Sequence, residues 1–239
     1  MKLRNPIVKA ELEDLGLPDV LFPEPSPVSF AQHAEDLIIE GMLSTRYPNE
    51  RPGSWTYLDI GANHPVHGSN TYLFYKKGAS GVVIEPNQKF APLFQKCRPR
   101  DQFILAGAKF DERDAATFYE VENDALSSFS ESFHVSWKEH GGLGATAVSS
   151  LDMPLVDVNS IIEKNFQNKL HIISLDVEGY EMEVLERLSL DQIRPDILIV
   201  EYVSPSHGIL KDSLTLVMQK KGYYLAFCGR VNLIFLSET

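Results

Sequence analysis

Thr56-Tyr57-Leu58-Asp59-Ile60-Gly61-Ala62-Asn63 reads as an apolar strand closed by an acid and a glycine. The next apolar run, Gly81-Val82-Val83-Ile84-Glu85-Pro86-Asn87, also ends on an acid, and the interval from Asp59 to Glu85 holds one helix and two turns. The same alternation continues downstream. Candidate strands at 102–106, 171–176, 196–202, 223–228 and 232–236 alternate with candidate helices at 70–77, 89–95, 158–165, 180–188 and 210–221. Strands of this kind linked by helices imply a mostly parallel sheet with helices on both faces. Gly229, Arg230 and Val231 alone separate the last two strands, so these form a terminal antiparallel hairpin. The expectation is an α/β, doubly wound domain.

Upstream, Pro18, Pro23, Pro25 and Pro27 mark residues 1–28 as an extended arm, because closely spaced prolines suit neither a helix nor a central strand. Ser29 is expected to cap a helix from about Phe30 to Leu43, with Glu35 and Asp36 near its positive end. Residues 29–239 then form one domain. The interval 110–153 interrupts the alternation with β-rich pieces around a polar segment containing His134, Trp137, His140, Gly141 and Gly142, and is read as an insertion beside the site.

Composition narrows the function classes. Among 239 residues, 22 basic and 33 acidic side chains give a net charge of −11, which argues against nucleic acid as a partner. Hydrophobic residues at 44% and charged residues at 23% suit a folded domain with a substantial core. No apolar run approaches the roughly 18 residues of a membrane span, and the first residues, MKLRNPIVKAELEDLG, lack the apolar core of a secretory signal. Two cysteines, Cys97 and Cys228, make neither a disulfide framework nor a cysteine-built zinc site, which points to a reducing, cytoplasmic setting.

In an open α/β sheet the ligand crevice lies beyond the carboxyl ends of the strands at the switch point. That places Asp59, Gly61, Ala62 and Asn63 on one side of a ligand and Glu85, Pro86 and Asn87 on the other. The Glu85 carboxylate suits both hydroxyls of a ribose, which points to an adenosine cofactor. Dinucleotide binding requires further glycines after Gly61, where this chain has Ala62-Asn63-His64-Pro65-Val66. An acid two positions before the glycine repels a pyrophosphate but attracts an ammonium, so S-adenosylmethionine fits and NAD does not.

These stretches resemble the FkbM family of S-adenosylmethionine-dependent methyltransferases. The resemblance rests on Leu58 to Asn63, on Ile84-Glu85-Pro86-Asn87, and most of all on Ser174-Leu175-Asp176-Val177-Glu178-Gly179-Tyr180-Glu181, which is similar to that family's Asp-Val-Glu-Gly-x-Glu signature. The segment from Ser29 to Leu37 is similar to a Ser-Gln-x-Gly-Glu-Asp-Leu element of one branch, with Ala34 where glycine is usual, and Ser69-Asn70-Thr71 matches that branch's first loop. The resemblance implies a class I, Rossmann-like, seven-stranded sheet and O-methyl transfer to a hydroxyl of a sugar, a polysaccharide or another polyhydroxylated metabolite.

It also implies that Asp176 faces the reacting methyl, with Glu178 just beyond it. Asp176, Glu178 and His207 are the candidate catalytic groups, acting as general base. In the more distant TylF-like sugar methyltransferases, acids on the corresponding strand ends hold magnesium; here Asp176 and Glu201 are the matching pair, followed by Tyr202 rather than a second acid. His64, His67, His134 and His140 are further base candidates, and His171 is read as structural. The other function classes weighed are an NAD-dependent sugar oxidoreductase or epimerase and a non-catalytic cofactor-binding scaffold.

Overall fold

A computed structural model describes residues 28–133, 135, 146–167, 169–204 and 208–238. Its centre is a seven-stranded sheet of β1 (Thr56–Ile60), β2 (Ser80–Ile84), β3 (Gln102–Ile104), β7 (Ile172–Leu175), β8 (Ile197–Glu201), β11 (Tyr223–Cys228) and β12 (Asn232–Ser237). The spatial order is β11-β12-β8-β7-β1-β2-β3. Strand β12 is antiparallel to both neighbours and every other pairing is parallel. The chain builds outward from β1 to β3, then crosses back to lay β7 on the other side of β1. The switch point is therefore between β1 and β7, as the alternation predicts.

Alternate residues of each strand serve opposite faces. Leu58, Ile60, Ile173, Leu175, Leu198 and Val200 pack with α4 (Val158–Asn165), α5 (Glu181–Arg187) and α6 (Lys211–Lys220). Tyr57, Ile172, Ile197 and Ile199 pack with α1 (Glu35–Arg46) and α2 (Tyr72–Lys76) on the other face. Helix α3 (Ala91–Cys97) covers β2 and β3 through Phe94, which packs with Val83 and Phe103. No helix among the described residues is long and apolar enough to cross a membrane.

The first helix corrects the expected boundaries: it runs Glu35–Arg46, not from Phe30, and Ser29 does not cap it. Ala34 at its start has φ 66°, the left-handed region that favours glycine, so the preceding chain cannot continue the helix. The fully buried Asp36 carboxylate instead gathers residues 29–31, accepting from Ser29 Oγ at 2.6 Å and Phe30 N–H at 2.7 Å. Glu35, also fully buried, accepts from Asn232 Nδ2 at 3.0 Å. These acids tie the amino-terminal segment to the domain rather than serving the helix dipole alone.

The expected strand 102–106 is shorter, ending at Ile104 as β3, and a separate strand beyond it, β4 (Gly107–Ala108), pairs outside the main sheet with β6 (Ala147–Val156). β6 also pairs antiparallel with β5 (Ala115–Val121), giving a three-stranded sheet over the site, and after β8 the short strands β9 (Val203–Ser204) and β10 (Gly208–Ile209) pair antiparallel with each other. The piece 126–129 is a 3-10 turn at Asp124–Leu126, started by the Asn123 side chain, followed by a single bridge from Ser128 to Tyr119. His134, Trp137, His140, Gly141, Gly142 and nearly all of the expected arm lie outside the described residues.

Candidate active site

The end of β1 is shaped by close contact with β7. Gly61 has φ 73°, and a Cβ there would stand 1.6 Å from the carbonyl oxygen of Asp176, so no larger residue fits while the two strand ends touch. Asn63 follows with φ 50°, a conformation asparagine tolerates, and its backbone N–H donates to Glu85 Oε2 at 2.7 Å. Glu85 Oε1 accepts from Asn87 N–H, also at 2.7 Å. This acid therefore staples the ends of β1 and β2 together while retaining lone pairs for a ligand. Burial raises its pKa to about 7 against the opposing effect of the two N–H bonds.

Asp59 lies deeper. Its Oδ2 accepts from the Thr71 hydroxyl and stands 3.7 Å from Arg98 Nη1. Arg98, with a fully buried side chain, also donates to Thr71 Oγ1 at 2.9 Å and to Asp101 Oδ2 at 2.7 Å. Aromatic rings of Tyr57, Phe94 and Tyr75 surround the guanidinium at 5.3–5.6 Å. Burial raises the Asp59 pKa and the Arg98 charge opposes that rise. Beside this pair, Asn70 donates its Nδ2 to Ser174 Oγ at 3.1 Å, while its Oδ1 is buried without a protein partner.

The other wall is built by β7, the loop after it, and β8. Asp176, Glu178 and Glu201 each place a carboxylate oxygen within 4.8 Å of the others. Glu178 is held in the left-handed region at φ 53°, and its carbonyl accepts from Ser128 Oγ at 2.8 Å. Glu181 turns away to accept from the N–H groups of Val177 at 2.9 Å and Gly179 at 3.1 Å, which orders this loop. Burial pushes the Asp176 pKa up to about 7, and the neighbouring Glu181 charge adds to the rise. Glu178 and Glu201 are raised well above the ordinary carboxylate range, first by burial and then by Asp176. Tyr202 donates its hydroxyl to Gly229 O at 3.0 Å, toward the terminal hairpin. The third carboxylate of the group therefore comes from Glu178 rather than from the position after Glu201.

These walls enclose a cavity of about 410 Å³. Asp59, Gly61, Ala62, Asn63, Glu85, Pro86, Asp176, Glu178 and Glu201 all line it. Asn87 stands outside the lining, where its side chain accepts from Lys89 N–H and starts a short 3-10 turn. His207 is outside the described residues. His67 lines the cavity, whereas His64 accepts the N–H groups of Val66 and His67 and so organises the loop. His171 accepts Thr56 N–H at 3.0 Å, a packing role at the far end of β1.

Several residues of the site carried no separable signal in the sequence. Arg98 sits in a connection without a motif, and its burial is explained by the carboxylates of Asp59 and Asp101 together with three buried aromatic rings. Asp124, Ser128 and Phe129 come from the β-rich interval, and Gln32 from the segment before α1. Gln32 did have a hint, since it lies in the quoted Ser29–Leu37 element and the bridge from Ala31 to Gly68 carries that element to the cavity.

Comparison with known proteins bears on the family. The chain is similar in structure to the O-methyltransferase from Bacillus cereus solved with SAH, at 12% identity and TM-score 0.47 over 96% of each chain. It is similar also to a TehB-like SAM-dependent methyltransferase from Corynebacterium glutamicum, at 10% identity and TM-score 0.43 over 97% of this chain and 95% of that one. A third is the 1,6-didemethyltoxoflavin-N1-methyltransferase of Burkholderia thailandensis, solved with bound 1,6-didemethyltoxoflavin and S-adenosylhomocysteine, at 11% identity and TM-score 0.41 over 87% of this chain and 80% of that one. No curated protein matches this sequence. The model of the methyltransferase FkbM domain matches residues 59–225, which runs from the acid at the end of β1 through most of the cavity lining to β11, and the chain belongs to that family.

Proposed function

We propose that this protein is an S-adenosylmethionine-dependent O-methyltransferase acting on a hydroxyl of a sugar or another polyhydroxylated metabolite. The observation that carries the reading is the cavity at the β1–β7 switch point, lined by Asp59, Gly61, Asn63 and Glu85 on one side and by Asp176, Glu178 and Glu201 on the other. The donor set fits the cofactor: Glu85 offers carboxylate lone pairs to a ribose diol, and Asn70 offers a buried, unmatched Oδ1. When bound, S-adenosylmethionine supplies an already activated, electrophilic methyl group.

The chain's own contribution is positioning and proton handling. Gly61 lets the two walls approach, and the Glu85 staple holds the adenosine end in register with β1. Asp176, whose proton affinity is set near neutrality by burial, accepts the hydroxyl proton as general base at Oδ1, an atom with no protein partner. Glu178 and His207 are the other candidates for that role. The two cysteines are free, in keeping with a cytoplasmic setting.

The test is ligand binding followed by transfer. S-adenosylhomocysteine is expected to raise the melting temperature by mass action while NAD does not. Glu85→Ala should weaken that binding by ~1–3 kcal/mol, the cost of an unpaired buried polar edge. A melting temperature that responds to NAD and not to S-adenosylhomocysteine would return the protein to the oxidoreductase class.

A second reading of the acceptor side has an observation of its own. The three clustered carboxylates supply oxygen ligands of the kind magnesium takes, and such an ion would lower the pKa of the acceptor hydroxyl. The metal-free base is preferred, because three carboxylates leave much of a hard cation's coordination unfilled. Loss of turnover on chelation, restored by magnesium, would reverse that preference.

A further inference from the structure

The cavity is unbalanced in charge. Asp59, Glu85, Asp124, Asp176, Glu178 and Glu201 line it, and among the described residues no lysine or arginine does. Two of the six have a cation behind the wall: Arg98 faces Asp59, and Lys89 pairs with Asp124. The Asp176, Glu178 and Glu201 group has no such partner among the described ion pairs, although its carboxylate oxygens lie within 4.8 Å of one another. Repulsion at that spacing in a poorly solvated site raises the proton affinity of all three, so they ionise together only against a bound positive charge.

A separate observation says that the same space is built for a ligand. Asn70 is 8% exposed and lines the cavity, yet its Oδ1 has no partner, a costly state for a buried acceptor. Its amide nitrogen grips Ser174, two residues ahead of Asp176 on β7, so the orphan acceptor and the acid group share one wall. The orphan acceptor calls for a hydrogen-bond donor on the occupant, and the carboxylates without cations call for that occupant to carry positive charge.

We infer that Asp176, Glu178 and Glu201 recognise the positive charge of the methyl donor's sulfonium, so that the protein holds the charged donor more tightly than the neutral thioether left after transfer. The inference rests on the proposed S-adenosylmethionine dependence and adds to it a rule for ligand preference. Transfer of the methyl removes the sulfonium charge from the donor, while the acceptor's hydroxyl proton passes to Asp176 and neutralises one of the carboxylates that faced it. The product, though almost identical in shape, loses the attraction that held the donor, and release follows from the chemistry itself.

The experiment is a pair of calorimetric titrations of the full chain with S-adenosylmethionine and S-adenosylhomocysteine, each in chelator and again with magnesium. Affinity for S-adenosylmethionine is expected to exceed that for S-adenosylhomocysteine by about tenfold or more, corresponding to ~1.4 kcal/mol. Glu201→Gln, which removes charge and little volume, should bring the two affinities together by weakening S-adenosylmethionine alone. Wild-type affinities that are equal, or that favour the thioether, overturn the inference and leave the methyltransferase reading standing. Binding of neither ligand overturns both. A preference that vanishes when magnesium is added also overturns the inference, because the carboxylates then serve a divalent cation.

Discussion

The two aspartates that end β1 and β7 occupy adjacent strands and open onto one cavity, yet their surroundings are opposite. Asp59 is matched: Thr71 donates to it, Arg98 stands 3.7 Å away, and three aromatic rings seal the pair. Asp176 has no cation: its Oδ1 lacks a partner, its side chain shares a hydrogen bond with another acid, Glu201, and Glu178 stands close by. A buried acid with its cation is a structural joint, strongly harmful to break. A group of half-buried acids without one lowers stability and persists only where the rest of the domain tolerates the cost for the sake of function. The β1 wall therefore holds the cavity's shape, and the β7–β8 wall holds its chemistry.

The largest effect should come from breaking the matched side. Arg98→Met leaves Asp59 and Asp101 buried without their guanidinium, and the expected loss is ~3–5 kcal/mol in denaturant unfolding. A loss below about 1 kcal/mol would mean that the joint is not structural. Next in size is Gly61→Ala, which forces a methyl against the Asp176 carbonyl and strains a positive φ. It should cost ~1–3 kcal/mol and weaken S-adenosylhomocysteine binding at the same time, since it separates the two walls. Unchanged binding in a folded Gly61→Ala protein would show that the strand ends can part without harm.

The smallest effect concerns pH. Burial holds the folded-state pKa of Asp176 at about 7, above the ordinary carboxylate value of about 4. The folded protein therefore binds this proton more tightly than the unfolded chain. The associated stability is fully present below about pH 4 and is lost as pH rises to about 7. Asp176→Asn removes that loss, so the variant should be the more stable protein near neutral pH, by on the order of 1 kcal/mol, while transfer activity falls. Parallel stability curves for the two proteins from acid to neutral pH would place Asp176 in an ordinary, solvated setting and dissolve the contrast with Asp59.

Much of the frame was legible before any coordinates. The apolar runs ending in Asp59, Glu85, Asp176 and Glu201 appear as strands whose carboxyl ends meet at one cavity, because period and bounding residues are local properties. The short turn of Gly229 to Val231 required the antiparallel hairpin for the same reason. Where local signals misled, a long-range contact was responsible. Glu35 and Asp36 look like helix-dipole acids in the sequence but are fully buried acceptors, and they shift the helix start to a left-handed Ala34.

What the sequence determined by itself, then, was the order of strands and helices, the family motif, and the set of acids gathered at the switch point. Which of those acids is neutralised and which is left exposed to a ligand was decided only by the tertiary structure. Arg98 reaches Asp59 from a connection that carries no motif, and Glu178 joins Asp176 and Glu201 because its backbone is turned to φ 53° at the end of β7. Charge pairing depends on distances of a few ångströms between side chains far apart in the chain, and a linear pattern holds no measure of those distances.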